Sequence, residues 1–570
     1  MKKKLLLAFG LLGAGLAYAA IPNNTLVFMQ GADIPTLDPG EAYDTASYEP
    51  IENMYDTLVQ YKGKSVSELQ PSLATEWKTS GDGKTYTFTL RKGVKFHSGN
   101  TFSCADVEYT LERNIVTNNS DSGNWYLADA LLGTQSNAAD DTSITWARIA
   151  KSVSCNKDGQ AVLSLPKPDP SLMVKLAADN MSIVDKKWAI GLGEWDGTEK
   201  TWKDWVGKDL TDSELSKKPS GTSAYELVKR DPNQLVFKSF DGYWGTKPKI
   251  ENVVLQVVKE NATRIEAMKK GDADMAETGP RATLSQLQGS PNLVVLDNIL
   301  NNVATGMFMN ENIKNPENLG SGKLDGKGIP SNFFSDVNVR KGFSYAFDPE
   351  KYIKEQLVGK GTLRTMLLPD SFFGYDPTIK PYTYNPELAK GNFLKAFGGQ
   401  VWKNGFILQA RFRAGSPSSQ AAMEILKANV EKINPKFHVE LAAKPWSEFL
   451  KDSQAGKEAM ILVGWVPDYA DPSNFIDTFY STTGYYHARS NFSDSTIDKL
   501  VQQANLTTDK AKRAALYKLI GRRANELAPY INMPAPVGFT VYNKALKGIE
   551  ENYNIMLSST TGTFWRNVSK

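Results

Sequence analysis

A single acid set between two aromatic rings is the most chemically informative feature of this chain. In Ile461-Leu-Val-Gly-Trp-Val-Pro-Asp-Tyr-Ala-Asp-Pro-Ser-Asn-Phe475, Asp468 stands between Trp465 and Tyr469. A carboxylate among rings suits a ligand that carries a positive amine. The acid offers a charge-assisted hydrogen bond, and the rings offer dry walls and cation–π attraction. The competing reading is a strand-to-turn junction, with Asp468 bonding backbone and Asp471-Pro472 starting a turn.

Enzymatic chemistry has little to work with. The chain has three histidines, His97, His438 and His487, and none lies at metal-ligand spacing from another. Neither H-E-x-x-H nor G-x-S-x-G occurs, and no P-loop or G-x-G-x-x-G follows a strand. Ser154-x-x-Lys157 has the spacing used by penicillin-recognising enzymes but lacks their S-D-N and K-T-G partners. A carboxylate pair for glycoside hydrolysis is not testable by spacing among 63 acids, which leaves a secreted hydrolase as the reading from another class.

Charge is nearly balanced, with 66 basic and 63 acidic residues, so no polyelectrolyte partner is indicated and nucleic acid is not expected. No cofactor or metal is expected either. Residues 1–20 read as a secretory signal: Lys2-Lys3-Lys4 lead an apolar stretch from Leu5 to Leu16, and Ala17-Tyr-Ala19 has the small-x-small cleavage pattern. No cysteine stands at that site, so the expectation is an exported protein without a lipid anchor. Cys104 and Cys155 are an even pair in an oxidising compartment and are expected to form a disulfide.

The elements that must position these residues are mixed. Leu26-Val-Phe-Met29 reads as a strand, 46–61 as a helix, and Lys84 to Leu90 as a half-buried strand after the Gly81-Asp-Gly83 turn. Residues 115–145, rich in Asn, Asp and Ser, read as an irregular surface excursion. Strands at 225–228, 234–237 and 253–258 lead into a helix that stops at Gly271. Asp348-Pro349-Glu350 starts a helix, and Ser495-Thr-Ile-Asp498 resembles a capping box. Strands interleaved with helices imply α/β layers.

Several segments together resemble the peptide-binding proteins of ABC importers, the extracytoplasmic solute-binding family 5. They are Thr36-Leu-Asp-Pro39 with Tyr43-Asp-Thr-Ala-Ser47, Gln70-Pro-Ser-Leu-Ala-Thr-Glu-Trp77, and Arg91-Lys-Gly-Val-Lys-Phe-His-Ser-Gly99. Phe102, Asp106-Val107, Glu112-Arg113, Ser220 to Leu227, Tyr243-Trp244, Val337 to Arg340, Tyr345 to Asp348 and the 464–475 segment follow in family order. The last is similar to the family's G-W-x-x-D-Y-x-D-P-x-x-F.

The resemblance implies a two-lobed periplasmic-binding-protein (flytrap) fold with an extra subdomain inserted in the first lobe. The first lobe would combine 21–64, 196–298 and 528–570, the subdomain 65–195, and the second lobe 299–527. It implies capture of a short peptide for a membrane ABC permease by a monomeric periplasmic protein. Asp468 falls on the acid that holds the α-amino group, with Gly464, Trp465 and Tyr469 around it and Tyr43 and Asp44 in the first ligand-proximal segment. Arg413 falls near the arginine for a dipeptide's carboxylate, with Arg411 a competitor, and Trp446 on an aromatic that walls the side-chain pocket. Where the family often has Pro-Tyr or Asn-Pro-Asn after the arginine, this chain has Ala414-Gly-Ser-Pro-Ser418. Other solutes of the same scaffold, a nickel complex, an oligosaccharide or haem, are the alternative.

Overall fold

A computed structural model describes residues 21–119, 122–557 and 561–570; the expected signal at 1–20 lies outside them. Two sheets organise two lobes. The first has seven strands in the order Leu293–Ile299, Gly538–Asn543, Met275–Ala276, Thr25–Gln30, Asn252–Val257, Gln234–Ser239 and Tyr225–Asp231. Thr25–Gln30 is parallel to both of its neighbours, and its alternation buries Leu26 and Phe28. The second has five strands in the order Phe437–Lys444, Phe406–Arg413, Met460–Trp465, Ala304–Met309 and Tyr530–Asn532. Its first three are parallel, and Ala304–Met309 is antiparallel to both flanking strands.

A separate four-stranded sheet, in the order Ala74–Thr79, Thr85–Leu90, Ala161–Ser164 and Val153–Cys155, forms the inserted subdomain. Cys104 and Cys155 are bonded there with Cα atoms 5.9 Å apart, inside the range a disulfide spans. Two adjacent crossings join the lobes, residues 300–303 and 533–537. Tyr530–Asn532 pairs with Ala304–Met309 on the second sheet, and Gly538–Asn543 lies on the first.

Local chemistry explains most elements. Asp348 caps the helix Pro349–Gln356 by accepting from the Lys351 amide, and Gly271 ends Asn261–Lys270 in the left-handed region that a glycine tolerates. The expected helix over 46–61 is two elements: Thr45–Met54 is helical, Tyr55 is extended, and Val59–Tyr61 is a strand paired with Leu69–Pro71. At 495 the cap is Asp494, which accepts from the Thr496 and Ile497 amides, while Asp498 accepts instead from Thr482. The expected excursion over 115–145 holds a buried helix, Trp125–Leu132, whose apolar run is masked in sequence by its polar flanks. The largest core cluster runs from the first lobe and subdomain into the Trp465–Tyr486 face of the second lobe, while a separate cluster fills the second lobe. No helix among the described residues is long and apolar enough to cross a membrane.

Candidate functional site

The site forms where Met460–Trp465 runs out of the second sheet toward the first lobe. Gly464 is the last small residue of that strand. It pairs with Thr305, whose Oγ1 would lie 2.8 Å from an added Cβ. Its carbonyl accepts from the Tyr486 hydroxyl at 2.9 Å. The chain then turns through exposed Val466 and buried Pro467 to Asp468.

Asn474, fully buried near the start of helix Ser473–Tyr480, fixes this turn with one amide group. Its Oδ1 accepts from Trp465 Nε1 at 2.7 Å and from the Asp468 amide at 3.0 Å, and its Nδ2 donates to Asp468 Oδ2 at 2.8 Å. The Tyr43 hydroxyl of the first lobe donates to the same carboxylate and accepts from Trp125 Nε1 at 3.0 Å. Burial pushes the Asp468 carboxyl up to about 7, against the pull of the Asn474 and Tyr43 hydrogen bonds. The same burial, with the Asp468 charge beside it, raises the Tyr43 phenol well above its ordinary range.

Aromatic rings close around this acid from both lobes. Trp465 lies 5.5 Å from Tyr485 and 5.1 Å from Tyr486, Trp125 stacks on Tyr485 at 6.3 Å, and Tyr126 meets Tyr469 at 5.3 Å. Lys175 stands 5.3 Å over the Tyr469 ring, and the Ala470 amide donates to the Tyr61 hydroxyl at 3.1 Å. The lobes therefore meet along this face. Trp125, Tyr126, Tyr485 and Asn474 were not singled out from sequence. Only Asn474 had a local signal, its place between Asp471-Pro472 and Phe475.

Beside this wall lies a cavity of about 670 Å³ between the lobes. Arg413 and Gly464 line it together with Arg281, Thr305, Tyr352 and Ser416. Asp468, Trp465, Tyr469 and Tyr43 do not line it; they sit at its flank, and a smaller cavity of about 200 Å³ runs along Val466 and Pro467. Arg411 and Arg413 share one face of their strand but differ in surroundings. Arg411 lies 3.8 Å from Glu458 and is largely covered, whereas Arg413 is exposed at the strand end. Asp44 caps helix Thr45–Met54 by accepting from the Ser47 amide at 2.9 Å, so one of its oxygens has a structural role. Helix Trp446–Gln454 begins at Trp446, whose side chain lies outside the described residues. His97 sits away from this site, with its Nε2 3.0 Å from the Ser223 carbonyl.

The arrangement can hold a cation against a carboxylate in a place with little water, and can offer a guanidinium to an anion across the adjoining cavity. Comparisons with known proteins agree with a binding role. The family profile described as bacterial extracellular solute-binding proteins, family 5, middle region, matches residues 68–487. The dipeptide-binding protein of Escherichia coli K12 is 26% identical over 572 residues, covering 96% of each chain. Heme-binding protein A of Haemophilus influenzae is 26% identical over 539 residues, covering 92% of this chain and 90% of its own. Among solved structures, the ABC transporter-associated periplasmic binding protein DppA of Helicobacter pylori, in complex with the peptide STSA, superposes with a TM-score of 0.75 at 26% identity. That match covers 96% of this chain and 98% of its own.

Proposed function

The chain belongs to the bacterial extracellular solute-binding proteins of family 5, and on that premise we propose that it captures short peptides in the periplasm and delivers them to an ABC permease. The observation that carries this reading is the Asp468 carboxylate, oriented by Asn474 and walled by rings from both lobes. Its likeness to a dipeptide-binding protein and to a peptide-bound relative supports the same choice of ligand. A carboxylate has about four lone-pair positions. Asn474 and Tyr43 occupy some of them, and an α-ammonium takes what remains.

Arg413 receives the peptide's carboxylate from the far side of the larger cavity, and Gly464 leaves the strand edge open to the ligand backbone. Terminal charges and backbone bonds then supply affinity without reference to side chains, and water fills the unused room. Peptides of about two to five residues, at roughly 3.3 Å each, suit this anchoring. A ligand touching both lobes favours the closed arrangement by its differential affinity, which the permease reads. Residues 1–20 direct export and are removed, no lipid anchor follows, and the protein acts as a monomer without catalysis.

Mass spectrometry of protein denatured directly after purification tests the ligand class, with calorimetry of the stripped protein against di- to pentapeptides. Released peptide and a measurable peptide affinity are expected. Released haem, sugar or metal complex, with no heat from any peptide, would overturn the reading.

A further inference from the structure

A small cavity lies on the seam between the lobes, separate from the ligand cleft. It measures about 20 Å³, room for one water molecule, and shares no lining residue with the larger cavity. One wall comes from the subdomain side and carries Asp169 and Lys175. The other comes from the second lobe and carries Tyr469, Asp477 and Asn505.

Each wall lacks what the other holds. Lys175 is 4% exposed, and Asp169 takes one of its three N–H donors at 2.7 Å. Its other donors have no acceptor among the described residues, and its ammonium stands 5.3 Å over the Tyr469 ring of the opposite lobe. Across the seam, Asn505 Nδ2 donates to Asp477 Oδ2 at 2.7 Å. Asp477 Oδ1 and Asn505 Oδ1 are buried and accept from no group among the described residues. A buried acceptor without a donor carries its full desolvation cost. Burial pushes the Asp477 carboxyl up to about 7; Asp129 and Asp471 push the same way, and Lys175 opposes them. The other cations lining this cavity are engaged, Arg513 with Asp471 at 2.9 Å and Lys167 with Asp129 at 3.5 Å. Asp477 sits on helix Ser473–Tyr480, which also carries Asn474, the residue that orients Asp468.

We propose that Lys175 is a closure latch: its ammonium crosses the seam to Asp477 and Asn505, directly or through one water, and so stabilises the closed arrangement of the lobes. It is a positioning residue that touches no ligand. It tightens every ligand by the same factor, because apparent affinity scales with the fraction of protein in the binding-competent state. This rests on the lobes closing around a ligand, and not on that ligand being a peptide.

Titration of the native protein, Lys175→Met, Asp477→Asn and the double variant with Ala-Ala-Ala and with Leu-Phe-Ala at pH 8 tests it. Thermal melting of the unliganded forms checks folding. Each single variant is expected to lose about tenfold in affinity, the scale of one charged hydrogen bond, and by the same factor for both peptides. The double variant is expected to lose less than the product of the two, since the partners act on each other. Losses that multiply, losses that differ between the peptides, or native affinity in either single variant overturn the latch. If Lys175→Met does not fold, Asp169→Asn/Lys175→Met replaces it, because that wall then buries no unpaired charge. If neither peptide binds the native protein, the peptide reading fails, and the radius of gyration of the unliganded protein judges the latch. An increase in both single variants then supports it, and no change overturns it.

Discussion

The Asp468 carboxyl, ordinarily near 3.8, is pushed up to about 7 by burial. Between roughly pH 4 and 7 the native protein thus holds a proton that the unfolded chain has released, so this group lowers stability as pH rises through that window. An ammonium beside it reverses the preference by favouring the charged form. Peptide binding is therefore expected to expel a proton below about pH 7, and affinity to fall by up to about tenfold per unit from there toward pH 5.5. Calorimetry in two buffers of different ionisation enthalpy reads that proton, and a pH-independent affinity would remove Asp468 from the contact. Asp468→Asn should weaken binding by about 2–5 kcal/mol, the cost of one partner lost from a desolvated pair, with thermal melting near neutral pH unchanged or raised because the amide carries no buried charge. An unaltered affinity would count against the amine anchor. At this scale the segment around the acid could be picked out because its motif is contiguous in sequence. Trp125 and Tyr485 could not, because only the meeting of two lobes stacks them.

The strand Phe406–Arg413 shows what periodicity can and cannot decide. Alternation places Arg411 and Arg413 on one face, and nothing local tells them apart. The difference is tertiary: Glu458 approaches Arg411, and the open cavity approaches Arg413. Arg413→Ala is expected to cost a free-carboxylate dipeptide more than tenfold and its amide much less, a charged hydrogen bond being worth about 1.5–3 kcal/mol. Equal losses on both ligands would make Arg413 structural. The clean alternation of Lys84 to Leu90 was legible as a strand, realised as Thr85–Leu90, whereas the helix Trp125–Leu132 was hidden by polar flanks. The disulfide ties helix Cys104–Val116 to strand Val153–Cys155 across 51 residues. On the chain-entropy argument its reduction should cost about 4 kcal/mol. Melting with and without reductant measures this, and an unchanged midpoint in protein shown to be reduced would mean the bond adds nothing.

At the scale of the molecule, α/β layering could be read from alternating strand and helix patterns, but lobe membership could not. Composition does not change where the chain crosses, and Tyr530–Asn532 joins the second sheet through pairing with Ala304–Met309, far away in sequence. The routes of the two sheets have a consequence for the order of folding. Every strand of the second sheet lies within 304–532, whereas the first sheet needs Thr25–Gln30 from one end of the chain and Gly538–Asn543 from the other. Leu293–Ile299 pairs with Gly538–Asn543 across about 240 residues of chain, whereas Met460–Trp465 pairs with Ala304–Met309 across a much shorter stretch. Long loops are entropically slower to close, so the pairing of Met460–Trp465 with Ala304–Met309 should form before that of Leu293–Ile299 with Gly538–Asn543. Pulse-labelled hydrogen exchange during refolding should show Met460–Trp465 amides protected before those of Leu293–Ile299, and simultaneous protection would refute the order. A chain exported as proposed crosses the membrane amino end first, and its leading strand emerges with no partner to pair with. The subdomain sheet at 74–164 is complete within itself, whereas Thr25–Gln30 must wait for Asn252–Val257 to follow it across.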